Sequence, residues 1–278
     1  MSISEKIISA EKKYKQILED FFIKKWARTI LYSHDLDHHR RVWYYAKEIL
    51  TETGETCIDN SLQTKILLIA CYLHDIGMSA EIGERHGVFS SRLCKEFLVL
   101  NGLPESEFPG LLDIIENHDR KEYELKNNSK GLLSILNASD DLDAFGYIGI
   151  YRYVEIYLLR GIPIEEIGFR VKENAGKRFA NFETVFGKYP AIFKKHQNRF
   201  RDLDDFFCAF NNQVNKSNSD NIYHNGPASV IGLISEMLRK RIAPQAVVHY
   251  SLRSANESAA RNFLKNLGSE LTGFSTLL

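Results

Sequence analysis

His74 and Asp75 end the apolar run Ile66-Leu67-Leu68-Ile69-Ala70-Cys71-Tyr72-Leu73 with two adjacent groups that bind metal ions. An imidazole and a carboxylate carried into a core lose their hydration and need a partner to offset the loss. A divalent cation is such a partner, and His38, His86, His118 and Asp140 are further candidate ligands for it. A set of imidazole nitrogens and carboxylate oxygens without thiolate suits iron, manganese, cobalt, magnesium or zinc and does not choose among them. With four protein ligands at an octahedral ion, open positions remain for water, whose pKa the ion lowers towards neutrality.

Nearly every segment shows a helical period, and alternating strand patterns are scarce. Ile3, Ile7, Ala10, Tyr14, Ile17 and Phe21 step by three and four residues and predict one long amphipathic helix. Asp37 is the expected N-cap of the next helix, with His38, Val42, Tyr45 and Ile49 facing inward and Gly54 ending it. On that face His38 joins the buried stripe, whereas His39 is turned about 100° away. His86 precedes Phe89, Leu93 and Phe97 at the same spacing; His118 follows Leu111 and Ile114, and Asp140 follows Leu133 and Leu136. One buried histidine is usually only a hydrogen-bonded core residue. Several polar groups aimed into one core from different helices favour a shared cation, because each alone costs stability.

Further helices are expected over residues 61–75, 87–101, 108–119, 131–160, 163–182 and 188–214, punctuated by Gly77, Gly102, Pro104, Gly161 and Pro163. The stretch from Asn211 to Gly226 is rich in asparagine and serine and predicts a loop. Two more helices are expected after it, around Val230 to Leu238 and from Ala255 to Leu267. With 278 residues, 44% of them hydrophobic, the chain can bury a sizeable core. Lysine plus arginine equals aspartate plus glutamate at 36 each, so no global basic field draws it to nucleic acid or an anionic membrane. Cys57, Cys71, Cys94 and Cys208 form no C-x-x-C pair and read as reduced thiols. With no leader-like or membrane-spanning apolar stretch, they predict a cytoplasmic protein.

At this point the residues resemble a family. His38, the His74-Asp75 doublet and Asp140, in that order on an all-helical chain, resemble the HD-domain superfamily of metal-dependent phosphohydrolases, named after such a doublet. His34-Asp35-Leu36-Asp37-His38-His39-Arg40-Arg41-Val42 looks like its first motif, Ala70 to Gly77 its second, and Ser139 to Gly146 its last. The resemblance covers roughly residues 15–160 in motif terms and implies an all-α HD-domain helical bundle; with the Asn/Ser-rich loop as the boundary, the HD-domain core is expected over residues 1–212 and additional C-terminal helices over residues 213–278. It implies that His38, His74, Asp75 and Asp140 bind a first metal ion. His86 and His118 match the extra histidines of the two-metal branch, where the doublet's aspartate bridges the ions; in single-metal relatives such histidines contact the substrate phosphate instead.

The expected function is therefore cleavage of a phosphate ester or anhydride by metal-activated water, with one or two divalent ions per chain. The balanced charge favours a small phosphorylated substrate, such as a nucleotide, over a polymer. Arg41, Arg85, Arg120 and Lys121 lie beside the candidate ligands, and Lys121 is the preferred phosphate contact. Glu81, Glu84 and Asp141 are candidates for general acid or base, and Asp75 is the catalytic member of the doublet. Two alternatives use the same residues: a di-iron oxygenase of the same fold, and a nucleotide-binding sensor without catalysis. Long amphipathic helices at both ends would pack on the core or make a homodimer contact.

Overall fold

A computed structural model describes residues 1–54, 60–83, 85–119, 131–216, 225–246 and 258–275. Cys57, Glu84, Arg120 and Lys121 lie outside them. Every regular element among the described residues is helical. In chain order these are α1 (Ile3–Trp26), α2 (Leu36–Thr53), α3 (Ser61–Leu73), α4 (His86–Leu100), α5 (Leu111–Asn117), α6 (Leu132–Asp143) and α7 (Gly146–Leu159). They continue with α8 (Ile164–Phe186), α9 (Pro190–Lys216), α10 (Gly226–Lys240) and α11 (Ser258–Ser275). Short 3-10 turns occupy Tyr32–His34, Ile76–Ser79 and Glu105–Glu107. The fold is all-α, and among the described residues no helix is long and apolar enough to cross a membrane.

The described residues form two compact units. The first takes them from Met1–Thr29, His34–Leu142 and Thr184–Ile192; the second from Ile30–Ser33, Asp143–Glu183 and Phe193–Leu278. In the first unit, α3 is the central helix. Its residues from Ile66 to Leu73 are all buried, and a helix apolar on every side has to be wrapped by neighbours, here α1, α2, α4 and α5. The His74-Asp75 doublet leaves the end of that helix in the middle of the unit. In the second unit α7 packs against α10 and α11. There the buried Glu155 accepts hydrogen bonds from Tyr32 N, Ser33 N and Tyr151 Oη.

Several sequence expectations are corrected. The N-cap of α2 is Asp35, whose carboxylate accepts from the backbone N–H groups of Asp37 and His38. The helix expected over 131–160 is two helices, because Phe145 turns to an extended conformation with ψ 166°. Its buried ring packs edge-on against Phe179 and Phe200 of the second unit. The Asn/Ser-rich stretch begins inside α9, which runs on to Lys216. The buried face of α4 follows Gly87, Ser90, Cys94 and Phe97, leaving Phe89 and Leu93 half-buried.

Candidate metal centre

Two glycines set the spacing of the helices that carry the cluster. A Cβ on Gly77, just past the doublet, would collide with the backbone of His86 and Ser90. Its absence lets the 3-10 turn lie against the start of α4, where Gly77 N donates to Ser90 Oγ at 2.8 Å. A Cβ on Gly87 would meet the carbonyl oxygen of Glu116 at 2.6 Å, so glycine lets α4 and α5 approach closely. The two approaches bring His86 to Asp75 and to His118.

Six candidate ligands, drawn from α2, the end of α3, α4, the end of α5 and α6, are thereby collected in one buried place. One group joins His38, His74, Asp75 and Asp140, another joins Asp75, His86 and His118, and a third joins His38 and His74 with His39; within each group the donor atoms lie within 4.8 Å of one another. In the first group Asp75 Oδ2 lies 3.3 Å from His74 Nε2 and 3.6 Å from His38 Nε2, while Asp140 Oδ1 lies 3.9 Å from both nitrogens. In the second, Asp75 Oδ1 lies 2.9 Å from His118 Nε2 and 3.1 Å from His86 Nε2. The carboxylate of Asp75 thus turns one oxygen to each of these two groups. Donors that share an ion at about 2.0–2.2 Å lie about 3–4 Å from one another, which is the range seen here.

The tautomers support a cation. Nδ1–H of His74 donates to the carbonyl of Cys71 at 3.1 Å, that of His86 to Gly83 at 2.7 Å and that of His118 to Ile115 at 2.6 Å. These bonds assign the proton of each neutral ring to Nδ1 and leave a lone pair on Nε2. Yet His86 and His118, both with the proton on Nδ1, face each other Nε2 to Nε2 at 3.2 Å, and the Nε2 of His74 lies 3.4 Å from that of His38. Lone pairs converging in a buried cluster repel unless positive charge lies among them. The residues therefore fit a divalent ion, and Nδ1 contacts to backbone carbonyls are the usual way of orienting histidine ligands.

Without a metal, protons would take that role. Burial would lower the pKa of His74, but the charge of Asp75 outweighs it and, with Asp140, lifts His74 to about 9. Burial likewise opposes His86, which Asp119 and Asp75 raise to about 11. Burial alone would raise Asp75, whereas His74, with His118 and His38, holds it well below the carboxylate range.

Three neighbours of the cluster escaped the sequence reading. His39, expected to be turned away, is fully buried, because α2 is covered by α3 and by Phe22 of α1. Its Nδ1–H shares the Cys71 carbonyl with His74, and its Nε2 is buried without a hydrogen-bond partner. His34 places Nε2 3.7 Å from Asp75 Oδ2. Asp119 Oδ2 lies 2.8 Å from His86 Nε2. The signal for Asp119 was a second His-Asp doublet, His118-Asp119, matching His74-Asp75.

The remaining candidates divide. Asp141 is fully buried beside Asp140 and belongs to none of the donor groups. Arg41 is buried too. Burial pushes Asp35 up to about 6 against the opposing pull of the Arg41 guanidinium. Arg85 is exposed and Glu81 half-buried, while Lys121, Arg120 and Glu84 fall outside the described residues.

No curated protein and no solved structure matches the chain. A family model described as HD-CE, an HD-like family, matches residues 16–144, a span that holds all three donor groups together with His34 and Asp119.

Proposed function

We propose that this protein is a metal-dependent phosphohydrolase that cleaves a phosphate ester or anhydride of a small molecule such as a nucleotide. The observation that carries the reading is the convergence of imidazole Nε2 atoms on the two oxygens of Asp75, with the ring N–H groups already committed to backbone carbonyls. The similarity of residues 16–144 to an HD-like family supports it.

His38, His74, Asp75 and Asp140 would hold one ion and Asp75, His86 and His118 a second. A divalent ion there lowers the pKa of a coordinated water and offsets charge on phosphoryl oxygens. The chain's own contribution is orientation: the Cys71, Gly83 and Ile115 carbonyls fix three rings, so little reorganisation is left for the moment of reaction. Asp75 and Asp140 supply buried negative charge. Lys121 and Asp141 complete the proposal as phosphate contact and proton-handling group.

The test is elemental analysis of protein purified without chelator, paired with a screen for phosphate release, on the wild type and on His74→Ala and Asp75→Ala. Both variants are expected to lose metal and turnover. Unchanged metal content in both would refute the assignment, and oxygen uptake by an iron-loaded sample that releases no phosphate would replace hydrolysis with oxygenase chemistry.

A further inference from the structure

We propose that Asp119 is the terminal carboxylate ligand of the second ion, so that each ion takes two imidazoles, one private aspartate and a share of Asp75. This inference rests on the two-ion form of the reading above. The first group is His38, His74 and Asp140 around Asp75 Oδ2; the second is His86 and His118 around Asp75 Oδ1, with Asp119 set against the same two imidazoles. Asp119 stands where Asp140 stands in the first group, but closer: Oδ2 is 2.8 Å from His86 Nε2 and Oδ1 is 3.7 Å from His118 Nε2. Asp140 is 3.9 Å from each of its two imidazoles.

An ordinary hydrogen bond between Asp119 and His86 does not account for this arrangement. Nδ1–H of His86 is spent on Gly83 O and that of His118 on Ile115 O. Four short contacts then meet at the two Nε2 atoms: Asp119 to His86 at 2.8 Å, Asp75 to His118 at 2.9 Å, Asp75 to His86 at 3.1 Å, and His86 to His118 at 3.2 Å. A single proton on one ring could serve at most part of this set, whereas one cation serves all of it.

The two subsites differ in access. The Asp140 side chain is 9% exposed and that of Asp119 is 40% exposed. Asp119 also follows the end of α5, outside the regular helix that holds His86 in α4. The first ion is therefore enclosed by helices, and the second is closed on its solvent side by one carboxylate on a turn. The second ion should be the one that exchanges.

The experiment is titration of metal-stripped full-length protein with manganese(II) alone, followed by calorimetry and by elemental analysis after gel filtration. The variants are Asp119→Asn, Asp119→Glu, His86→Ala and Asp140→Asn. In the wild type two ions are expected, the second weaker and faster to exchange. Asp119→Asn should weaken that second step by about tenfold or more and leave the first unchanged, by analogy with the 10–100-fold effects of losing ligand-supporting groups. Asp119→Glu should restore part of the loss, a rescue that a merely structural role would not produce. A second ion bound as tightly in Asp119→Asn as in the wild type, yet lost in His86→Ala, overturns this inference and leaves the phosphohydrolase reading intact. One ion in the wild type, lost only in Asp140→Asn, has the same consequence. No ion in any sample overturns both.

Discussion

Replacing Gly87 by alanine tests whether the close approach of α4 and α5 sets the geometry of the second donor group. The new Cβ would lie 2.6 Å from the Glu116 carbonyl oxygen, 3.3 Å from its carbon and 3.5 Å from the Ile115 carbonyl oxygen. Ordinary contact begins near 3.4 Å, so α5 must retreat by about 0.8 Å, and backbone atoms cannot swing aside as a side-chain tip can. In stability the effects partly cancel: alanine gains up to about 1 kcal/mol of helix propensity, and overpacking costs about 1–3 kcal/mol. The net loss of about 0–3 kcal/mol reaches zero at its lower end, so melting does not decide the matter. Metal binding decides it. The Ile115 carbonyl orients His118, which sits 3.2 Å from His86, and metal–ligand distances tolerate only about 0.2 Å. Gly87→Ala should therefore weaken the second manganese-binding step at least tenfold and spare the first, measured by calorimetric titration. Gly176→Ala on α8, where a Cβ meets nothing within 4 Å, is the control: it should add up to about 1 kcal/mol of stability and bind both ions as the wild type does. Wild-type affinity for both ions in Gly87→Ala would show that the α4–α5 approach does not position the site.

Two further outcomes are expected. In chelator-treated protein the raised pKa of His74 contributes stability that is complete below about 6.5, its unfolded value, and is lost as pH rises through about 9. His86, raised to about 11, keeps its proton in the folded state while the unfolded ring loses it above about 6.5, so it steepens the same decline. The melting temperature of the metal-free protein should consequently fall between pH 6.5 and 9, and metal should restore most of it at the alkaline end; a metal-free melting temperature that climbs over this range would contradict the balance of charges drawn for the cluster. In the second unit, Glu155→Gln turns one acceptor into a donor facing the Tyr32 or Ser33 N–H, a loss of about 1–3 kcal/mol. Urea unfolding reads it, and an unshifted midpoint would mean that Glu155 does not hold that turn.

The helical period carried much of this architecture because it reports one thing, the direction in which a side chain leaves its helix. His38, with Val42, Tyr45 and Ile49, is fully buried as the spacing predicts, and the apolar run into His74 is the central helix of its unit. Periodicity fails where that condition fails. Asp119 and His34 lie off the regular helices, one after the end of α5 and one in a 3-10 turn, so no stripe includes them. His39 was misjudged because a one-sided stripe assumes one-sided burial, and α2 is covered on two sides by α1 and α3. The face of α4 was misjudged for a related reason: hydrophobicity favours Phe89 and Leu93, but the buried face carries the smaller Gly87, Ser90 and Cys94, and Gly87 and Ser90 make close approaches to neighbouring backbone.

That preference for small residues ties the fold to the site. A metal cluster drawn from five helices needs donors about 3–4 Å apart, and large side chains on the facing surfaces would hold the helices too far apart. Gly77 removes bulk between the doublet and α4, and Gly87 removes it between α4 and α5, so the two positions with the least hydrophobic surface have the greatest influence on whether His86 and His118 reach Asp75. The burial that compresses the cluster also sets its electrostatics. Imidazoles and carboxylates pressed together without water must be reconciled either by protons, as the raised values of His74 and His86 indicate, or by an ion. Because the Nδ1–H groups are already tied to backbone carbonyls, either partner has to bind at Nε2, where one cation can meet several rings at once and a proton belongs to one.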